Sequence, residues 1–367
     1  MRHRKIRNRR NRGKKQKKII IISTLILMFF FTVGYSAFQT IISINVRGNI
    51  KVTPDECFTV SDNGNGTGTI TNYNEECGTK VKIPREINNL TIVKIADTNS
   101  TMKKSFYRKN IDVIIFPDTL TYIGHFSFNY NKIKNLKIPD SVAEIGNEAF
   151  RGNKLSNLSL GSGIKKIGHH AFTEASITSL VLPEGLQSLS NCAFSENNLT
   201  SVRIPDSVTF MGGGVFSNNS FPEDSPIVYG KKSDGTVDYS TIDSYARRVV
   251  TNYEIPNTIK VIANTAFGFK NVGAINIPSS VEKIGDYSFS SSRITSVTLN
   301  EGLKTMGGYS FSDNLFTEIT IPSTVTFIST TSFTGNSNLQ TINIKNSENA
   351  ISGAPWGATN ATVNWDS

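Results

Sequence analysis

A phenylalanine recurs every 22 residues over most of this chain. Six are evenly spaced, and four more keep the same step after a longer interval: Phe106, Phe128, Phe150, Phe172, Phe194, Phe216, Phe267, Phe289, Phe311 and Phe333. A fixed period over many units marks a protein that stacks one supersecondary unit, each unit burying its apolar face against its neighbours. The spacing therefore predicts a repeat solenoid of about ten 22-residue units, with the phenylalanines in its interior.

Two further rows run in phase with the phenylalanines. A proline such as Pro139 lies eleven residues before seven of them, and a glycine such as Gly146 lies four residues before six of them. The segments ahead of the prolines, for example 294–299 and 316–321, are rich in Ile, Val and Thr, which indicates strands. Proline ends each strand because it has no N–H for a ladder, and glycine is expected to permit the following bend. Strands of successive units should pair in parallel.

The unit from Ile138 to Phe150 reads IPDSVAEIGNEAF and resembles the BspA-like leucine-rich repeats of bacterial surface proteins. The resemblance covers roughly residues 80–345. It implies a leucine-rich-repeat solenoid that is β-rich and has parallel strands. It also implies an exported bacterial protein, with a role in adhesion to a host or to other microbes, and it supplies no shared catalytic residue.

The excess of basic charge is confined to the amino terminus. Residues 1–18 hold eleven of the 39 Lys and Arg residues, whereas the rest of the chain balances 28 basic against 29 acidic residues. A nucleic-acid-binding domain would spread such charge over a folded face, so no nucleic acid partner is expected. A cytosolic solenoid with a nucleic-acid-binding tail is a rival hypothesis, which the apolar segment that follows argues against.

Residues 19–38 form this apolar segment. Twenty such residues make a helix about 30 Å long, enough to cross a bilayer, and the basic tail should stay in the cytoplasm. We therefore predict a cytoplasmic tail at 1–18, a transmembrane helix that anchors the protein in the cell membrane, and an extracellular repeat region. A signal peptide cleaved near Ala37 is the alternative, and it would make the protein secreted.

The two ends of the repeat region depart from the period. Residues 39–80 are predicted to be a linker and an N-terminal cap hairpin, because Cys57 and Cys77 bracket two strand-like runs. These cysteines are candidates for a disulfide, which an extracellular location permits. Residues 346–367 are predicted to be a C-terminal cap, since a solenoid needs its open ends covered.

An insert at 217–253 interrupts the period by adding seven residues between Phe216 and Phe267. It separates repeat stack 1 at 81–216 from repeat stack 2 at 254–345. Part of the insert suits a short helix. The insert is either a binding loop, because inserts project from a solenoid, or a structural joint between the two stacks.

The sequence gives no support for catalysis. His125 and His169 share a register two repeats apart, so roughly 10 Å separates them, which is too far for one zinc ion with nitrogen ligands at about 2 Å. His169, His170 and the unpaired Cys192 are expected at the surface. The sequence has no phosphate-binding loop, paired-cysteine metal site or Ser–His–Asp order, so we expect no enzyme, no metal and no cofactor.

The outward side of the predicted parallel strands is the candidate binding surface. By alternation it carries small amide and hydroxyl groups with few charges. Its candidate residues, called the outward strip below, are Asn135, Lys137, Asn157, Ser159, Ser201, Arg203, Asn276, Thr298 and Thr320. The strip suits a broad protein or glycan partner, and it would serve equally well as ordinary solvated sheet.

The leading hypothesis is a surface protein that presents this strip for adhesion or for host or envelope contacts; the alternative is a structural spacer without a specific ligand. The oligomeric state stays open.

Overall fold

The computed structural model describes residues 52–99, 101, 104–250, 253–348 and 350–366. These residues wind into a parallel-strand solenoid of about 13 turns, rather than about ten. The additional turns carry Tyr73, Tyr245 and Trp356 in place of phenylalanine, and all three are buried. The 22-residue phenylalanine step marks only the turns that keep phenylalanine, which explains the lower number expected from the sequence.

The fold class expected from the sequence needs a second correction, which concerns the transmembrane helix. Within the described residues, no helix has the length and apolar character needed to cross a membrane. The helices described there are three-residue 3₁₀ turns at Asp55–Cys57 and Glu75–Cys77. Proline and closely packed glycine recur in the repeats and keep the elements of each unit short. The segment 19–38 lies outside the described residues, so the described fold is a β-solenoid without a membrane-spanning helix.

A row of short strands after the prolines, here called the second row, holds successive turns together. Its strands pair in parallel with an offset of 22 residues, as between Ile123 and Ile145 and between Ile145 and Ile167. The sequence left a helical turn or a short strand open at these positions, and the structure has strands. They are Leu90–Ile95, Tyr122–Ile123, Glu144–Ile145, Lys166–Ile167, Ser188–Leu189, Phe210–Met211, Val237–Tyr245, Val261–Ile262, Lys283–Ile284, Thr305–Met306 and Phe327–Ile328.

The strands ahead of the prolines, here called the first row, form a less continuous sheet. They are Lys80–Lys82, Val113–Ile115, Asn135–Lys137, Asn157–Ser159, Ala274–Ile277, Ser296–Leu299, Glu318–Ile321, Thr341–Ile344 and Thr362–Trp365, and they pair in parallel in small separate sheets. The segments 177–182 and 199–204 are predicted as strands but form none. The second row stays paired there, as between Leu189 and Met211.

The phenylalanines form the centre of the core. Each of the ten is fully buried, as predicted. The rings of neighbouring turns stack almost parallel, with centroids 5.3 Å apart for Phe128 and Phe150 and 5.2 Å apart for Phe172 and Phe194. Aromatic pairs favour such separations, and burial of each phenylalanine stabilises the fold by about 1.5–3 kcal/mol.

An asparagine three residues after the phenylalanine links neighbouring turns, a role that was not predicted from the sequence. Asn153 Nδ2 donates to the carbonyl oxygens of Phe150 and Phe128, both at 2.9 Å, and its Oδ1 accepts the N–H of Ile133 at 3.1 Å. Equivalent bonds to phenylalanine carbonyls are made by Asn131, Asn197, Asn219, Asn314 and Asn336. The asparagine row therefore satisfies backbone groups beside the aromatic core, where unpaired groups are costly.

The glycines that lie four residues before the phenylalanines allow successive turns to pack closely. A Cβ on Gly146 would lie 2.6 Å from the backbone nitrogen of His125 in the preceding turn, so a larger residue does not fit. The left-handed residues lie elsewhere, two positions before and after the phenylalanine, as at Glu148 (φ 53°) and Gly152 (φ 70°) around Phe150. The expectation that this glycine permits the bend is therefore wrong.

The insert contains a β-hairpin. Its strands Ile227–Lys231 and Val237–Tyr245 pair antiparallel, and the second strand also pairs in parallel with Val261–Ile262 of the following turn. The short helix expected in this part of the chain is therefore wrong. The second hairpin strand continues the second row, since its inward residues pack in the core as those of the regular turns do.

The hydrophobic core divides into two clusters at this insert. One cluster of buried residues runs from Cys57 to Ala246 and a second runs from Ile242 to Ala358. Tyr245 belongs to the second cluster, whereas its neighbour Ala246 belongs to the first. The turn that carries the hairpin is thus the point where the two clusters meet.

The two ends of the described solenoid differ in structure. At the start, Phe58–Asp62 and Thr67–Tyr73 pair as an antiparallel hairpin, and Cys57 and Cys77 are joined by a disulfide. A short strand at Glu86–Ile87 pairs antiparallel with the first strand of the second row. At the other end the ring of Trp356, which is fully buried, packs edge-on against the last phenylalanine of the core.

Candidate functional site

The outward strip is open to solvent. Eight of its nine residues are exposed, and Asn157 is half-buried. The parallel register brings Asn157 beside Asn135 and brings Thr298 beside Asn276. Thr320 lies in the neighbouring small sheet. The structure thus places strip residues side by side in two regions of the first row.

The strip is not one continuous sheet. Ser201 and Arg203 lie in a segment that forms no strand, and Arg203 forms an ion pair with Glu184. Part of the hydrogen-bonding capacity is also used between turns, because Asn157 Nδ2 donates to Asn135 Oδ1 at 2.6 Å. The remaining exposed groups can accept and donate hydrogen bonds over several turns.

A second candidate site was not predicted from the sequence. A cleft of about 360 Å³ lies where the insert meets the turns on either side. We call it the joint cleft. Its lining includes His170, Cys192 and Glu196 from the turns before the insert, and Thr265, Phe269 and Tyr287 from the turns after it.

The turns beside the joint cleft approach closely at Gly214, where a Cβ would lie 2.0 Å from Thr265 Oγ1. The position two residues before the phenylalanine normally carries a side chain, as at Cys192 and Thr265 on either side. In the turn between them it is Gly214, which has none, and in the inserted turn it is Asp243, which is buried.

The two adjacent histidines at the cleft are half-buried rather than on the open surface. Burial, together with the nearby His169 and Arg151, lowers the pKa of His170 to about 4. Burial also lowers the pKa of His169. Both rings are therefore neutral at pH 7. The expectation of surface histidines is wrong because these side chains pack between successive turns.

His125 has a structural role in the same row. Its Nδ1 accepts the backbone N–H of Asn147 at 2.6 Å, and Asn147 Oδ1 accepts the N–H of His169 at 2.9 Å. Each side chain thus holds the backbone of the next turn. Within the described part of the chain, no group of three or more His, Cys, Asp or Glu residues could hold a metal ion.

Cys192 is buried, with 7% of its surface exposed, so its predicted place on the surface is wrong. Its Sγ lies 3.5 Å from Thr265 Oγ1 in the turn that follows the insert. Burial raises the pKa of the thiol, which keeps it protonated at neutral pH. The turns around the insert cover this side chain, an effect that no local pattern in the sequence reveals.

Two buried ionisable side chains also lie at the insert. Lys270 takes the place of the row asparagine after Phe267, and its Nζ donates to Asn218 Oδ1 at 2.7 Å and to the carbonyl oxygen of Arg247 at 3.1 Å. Burial lowers the pKa of Lys270 to about 7. Asp243 Oδ2 accepts the N–H of Val215 at 3.2 Å, and burial raises the pKa of Asp243 to about 7.

The comparisons with known proteins agree with the fold. The BspA type leucine rich repeat region matches residues 99–222 and 242–356 in six copies. The gap between the two matched regions falls on the hairpin of the insert. No curated protein sequence matches the chain.

Solved structures of similar fold come from several bacteria. A leucine rich cell surface protein of Faecalibacterium prausnitzii is 22% identical, with 87% of this chain and 96% of that one covered and a TM-score of 0.51. The pneumococcal vaccine antigen PcpA is 19% identical, with 84% and 86% covered and a TM-score of 0.58. A leucine-rich repeat protein of Eubacterium ventriosum is 19% identical, with 77% and 74% covered and a TM-score of 0.50.

At these identities the solved structures show a shared fold. The repeat model carries more weight, because its two matched regions together span well over half of the residues and coincide with the observed turns. The chain belongs to the BspA-type leucine-rich-repeat family.

Proposed function

We propose that the chain is a surface-exposed scaffold that presents its outward strip to an extracellular protein or glycan. The observation that carries this proposal is the exposure of eight of the nine strip residues over turns whose interiors are fully packed. Members of this family and fold are typically binding scaffolds rather than enzymes. The disulfide between Cys57 and Cys77 supports an oxidising compartment outside the cytoplasm.

The chemistry of the strip favours an extended partner. One hydrogen bond contributes only about 0.5–1.5 kcal/mol net, so useful affinity requires several contacts. Successive first-row strands lie about 4.8 Å apart where they are paired, and a partner that follows the stack meets a new amide or hydroxyl group at each step. Adhesion to a host, to another microbe or to the cell envelope is the biological role that this arrangement supports.

A binding array tests the proposal. The purified full-length protein is applied to protein and glycan arrays beside a variant with Asn276→Arg and Thr298→Arg, two exposed neighbours in register. The matched control has Gln187→Arg and Thr209→Arg, which are exposed at the second row. The proposal expects a specific array signal that the strip variant weakens by tenfold or more and the control retains. Equal signals in both variants would contradict it.

A structural spacer is the second candidate function. The bond between Asn157 and Asn135 favours it, because it shows strip amides serving the sheet itself. A spacer holds other groups at a distance and needs no specific ligand. It predicts that the arrays show no enrichment for the unmodified protein above that for the two arginine variants.

A further inference from the structure

The joint cleft offers unused hydrogen-bond donors. Asn191 and Asn264 both line it. Their Oδ1 atoms accept the N–H groups of Gly213 at 3.1 Å and of Asp286 at 2.8 Å. Their Nδ2 groups donate to no other atom of the described residues, so two amide donors stay available at the cleft.

Unused acceptors lie at the same cleft. The exposed carboxylate of Glu196 has no ion pair or hydrogen bond to any described residue. Asp286 uses Oδ1 to accept the N–H of Gly308 at 2.7 Å, which leaves its second oxygen for a ligand. The neutral rings of His169 and His170 add groups that can donate or accept. Donors and acceptors are therefore interspersed around one small volume.

Aromatic side chains complete the lining. Phe269 is 62% exposed and Tyr287 is 43% exposed, although the phenylalanines of the core are fully buried. The Tyr287 ring is held in place by stacking on Tyr309, with centroids 4.9 Å apart. An exposed ring beside polar groups provides an apolar face at low entropic cost, which suits it to ligand recognition.

We propose that the joint cleft binds a saccharide, through one pyranose ring or a disaccharide unit. Each sugar hydroxyl both donates and accepts, which matches the interspersed amide and carboxylate groups, and the C–H face of a pyranose packs against an aromatic ring such as Phe269. The cleft volume of about 360 Å³ lies at the small end of ligand pockets, which span about 300–1,000 Å³.

A cationic ligand fits the same cleft less well. An ammonium or guanidinium group would satisfy the carboxylates and could lie over an aromatic face. Such a cation has no acceptor for the amide donors of Asn191 and Asn264. Its binding would bury these donors without a hydrogen-bond partner, which lowers the affinity. The saccharide satisfies both kinds of group. The cation is therefore an outcome that the experiment must separate.

Ligand-observed saturation-transfer NMR on the full-length protein tests the proposal. The probes are methyl glycosides of glucose, galactose and mannose, together with N-acetylglucosamine and N-acetylgalactosamine. Free arginine and methylammonium serve as cationic probes. Three variants are compared with the unmodified protein: Phe269→Ala, Glu196→Gln, and the matched control Phe210→Ala, which removes an exposed phenylalanine outside the cleft.

We expect at least one saccharide to bind. Phe269→Ala should weaken its binding by about tenfold or more, Glu196→Gln by about threefold or more, and Phe210→Ala not at all. Circular dichroism should show all three variants folded, since the changed side chains are exposed. The strip variant with Asn276→Arg and Thr298→Arg should bind the saccharide normally, which separates this site from the outward strip.

Three outcomes overturn the proposal. The first is that none of the saccharides gives saturation transfer. The second is that only arginine or methylammonium binds, which would assign the cleft to a cation. The third is that saccharide binding is equal in Phe269→Ala and Phe210→Ala, or is lost in the strip variant, which would place the sugar elsewhere.

Discussion

The ring of Tyr245 lies 5.3 Å from the ring of Phe267, centroid to centroid, and so takes the place that phenylalanine holds in the other turns. Tyr245 comes 29 residues after Phe216 and 22 residues before Phe267. The seven extra residues of the insert therefore fall within one turn, ahead of the tyrosine. The insert thus enlarges a turn whose aromatic position is kept, at the point where the two hydrophobic clusters meet.

Replacement of Tyr245 by alanine should destabilise the protein by about 3–5 kcal/mol, as expected for the loss of a large buried aromatic side chain. The matched variant Tyr245→Phe keeps the ring and should cost less than about 1.5 kcal/mol. Urea unfolding followed by circular dichroism measures both. A cost below about 1 kcal/mol for Tyr245→Ala would show that the inserted turn lies outside the packed core.

Replacement of Asn153 by alanine should cost about 2–5 kcal/mol. The change leaves the N–H of Ile133 and the carbonyl oxygens of Phe128 and Phe150 without this partner, and each buried group left unpaired costs about 1–3 kcal/mol. Asn198→Ala changes an exposed asparagine and should stay within about 0.5 kcal/mol. Similar midpoints of urea unfolding for the two variants would rule out a stabilising role for the asparagine row.

Asp243 should make the protein less stable as the pH rises from about 4 to 7. In that range the unfolded chain has lost the proton of this carboxyl group, whereas the folded chain still holds it because burial raises the pKa to about 7. Since the folded state binds more protons, the free energy of unfolding falls with pH. Asp243→Asn should remove this part of the slope, as measured by urea unfolding at pH 5, 6 and 7. An unchanged slope would contradict the burial of the carboxyl group.

Lys270 should act in the opposite direction at higher pH. Burial lowers its pKa to about 7 in the folded state, whereas the unfolded chain keeps the proton up to its ordinary value of 10.5. The unfolded state then binds more protons, so the free energy of unfolding should rise between pH 7 and 10. Lys270→Met should remove that rise while keeping the slope below pH 7. The combined contribution of Asp243 and Lys270 to the free energy of unfolding should therefore be lowest near neutral pH.

Loss of the disulfide should loosen the amino-terminal end of the solenoid. Cys57 and Cys77 are 20 residues apart, and closing a loop of that length stabilises a protein by about 3 kcal/mol in the chain-entropy account. Cys57→Ser should therefore increase amide hydrogen exchange in the cap hairpin. Exchange around Phe311, far along the stack, should not change, because repeats couple mainly to their neighbours. An equal increase at both places would contradict this.

The sequence predicts the positions that recur in every turn. The phenylalanine period identified the solenoid, its buried rings and its family resemblance, because each turn repeats the same packing. Tyr245 lies 22 residues before Phe267 but was not recognised in this row, because it is a tyrosine and the insert places it 29 residues after Phe216. The burial of Cys192 and the joint cleft could not be predicted either, because both depend on how three turns pack around Gly214. The asparagine row was recoverable, since Asn153 and its equivalents have a fixed spacing from phenylalanine.

The central claim, that the outward strip contacts an extracellular partner, is tested most directly by photo-crosslinking on intact cells. A photoreactive amino acid replaces Thr298 on the strip in one variant and Thr326, an exposed residue beside the second row, in another. We expect a discrete crosslinked product from the Thr298 position and none from the Thr326 position. No product at Thr298, or the same products at both positions, would contradict it.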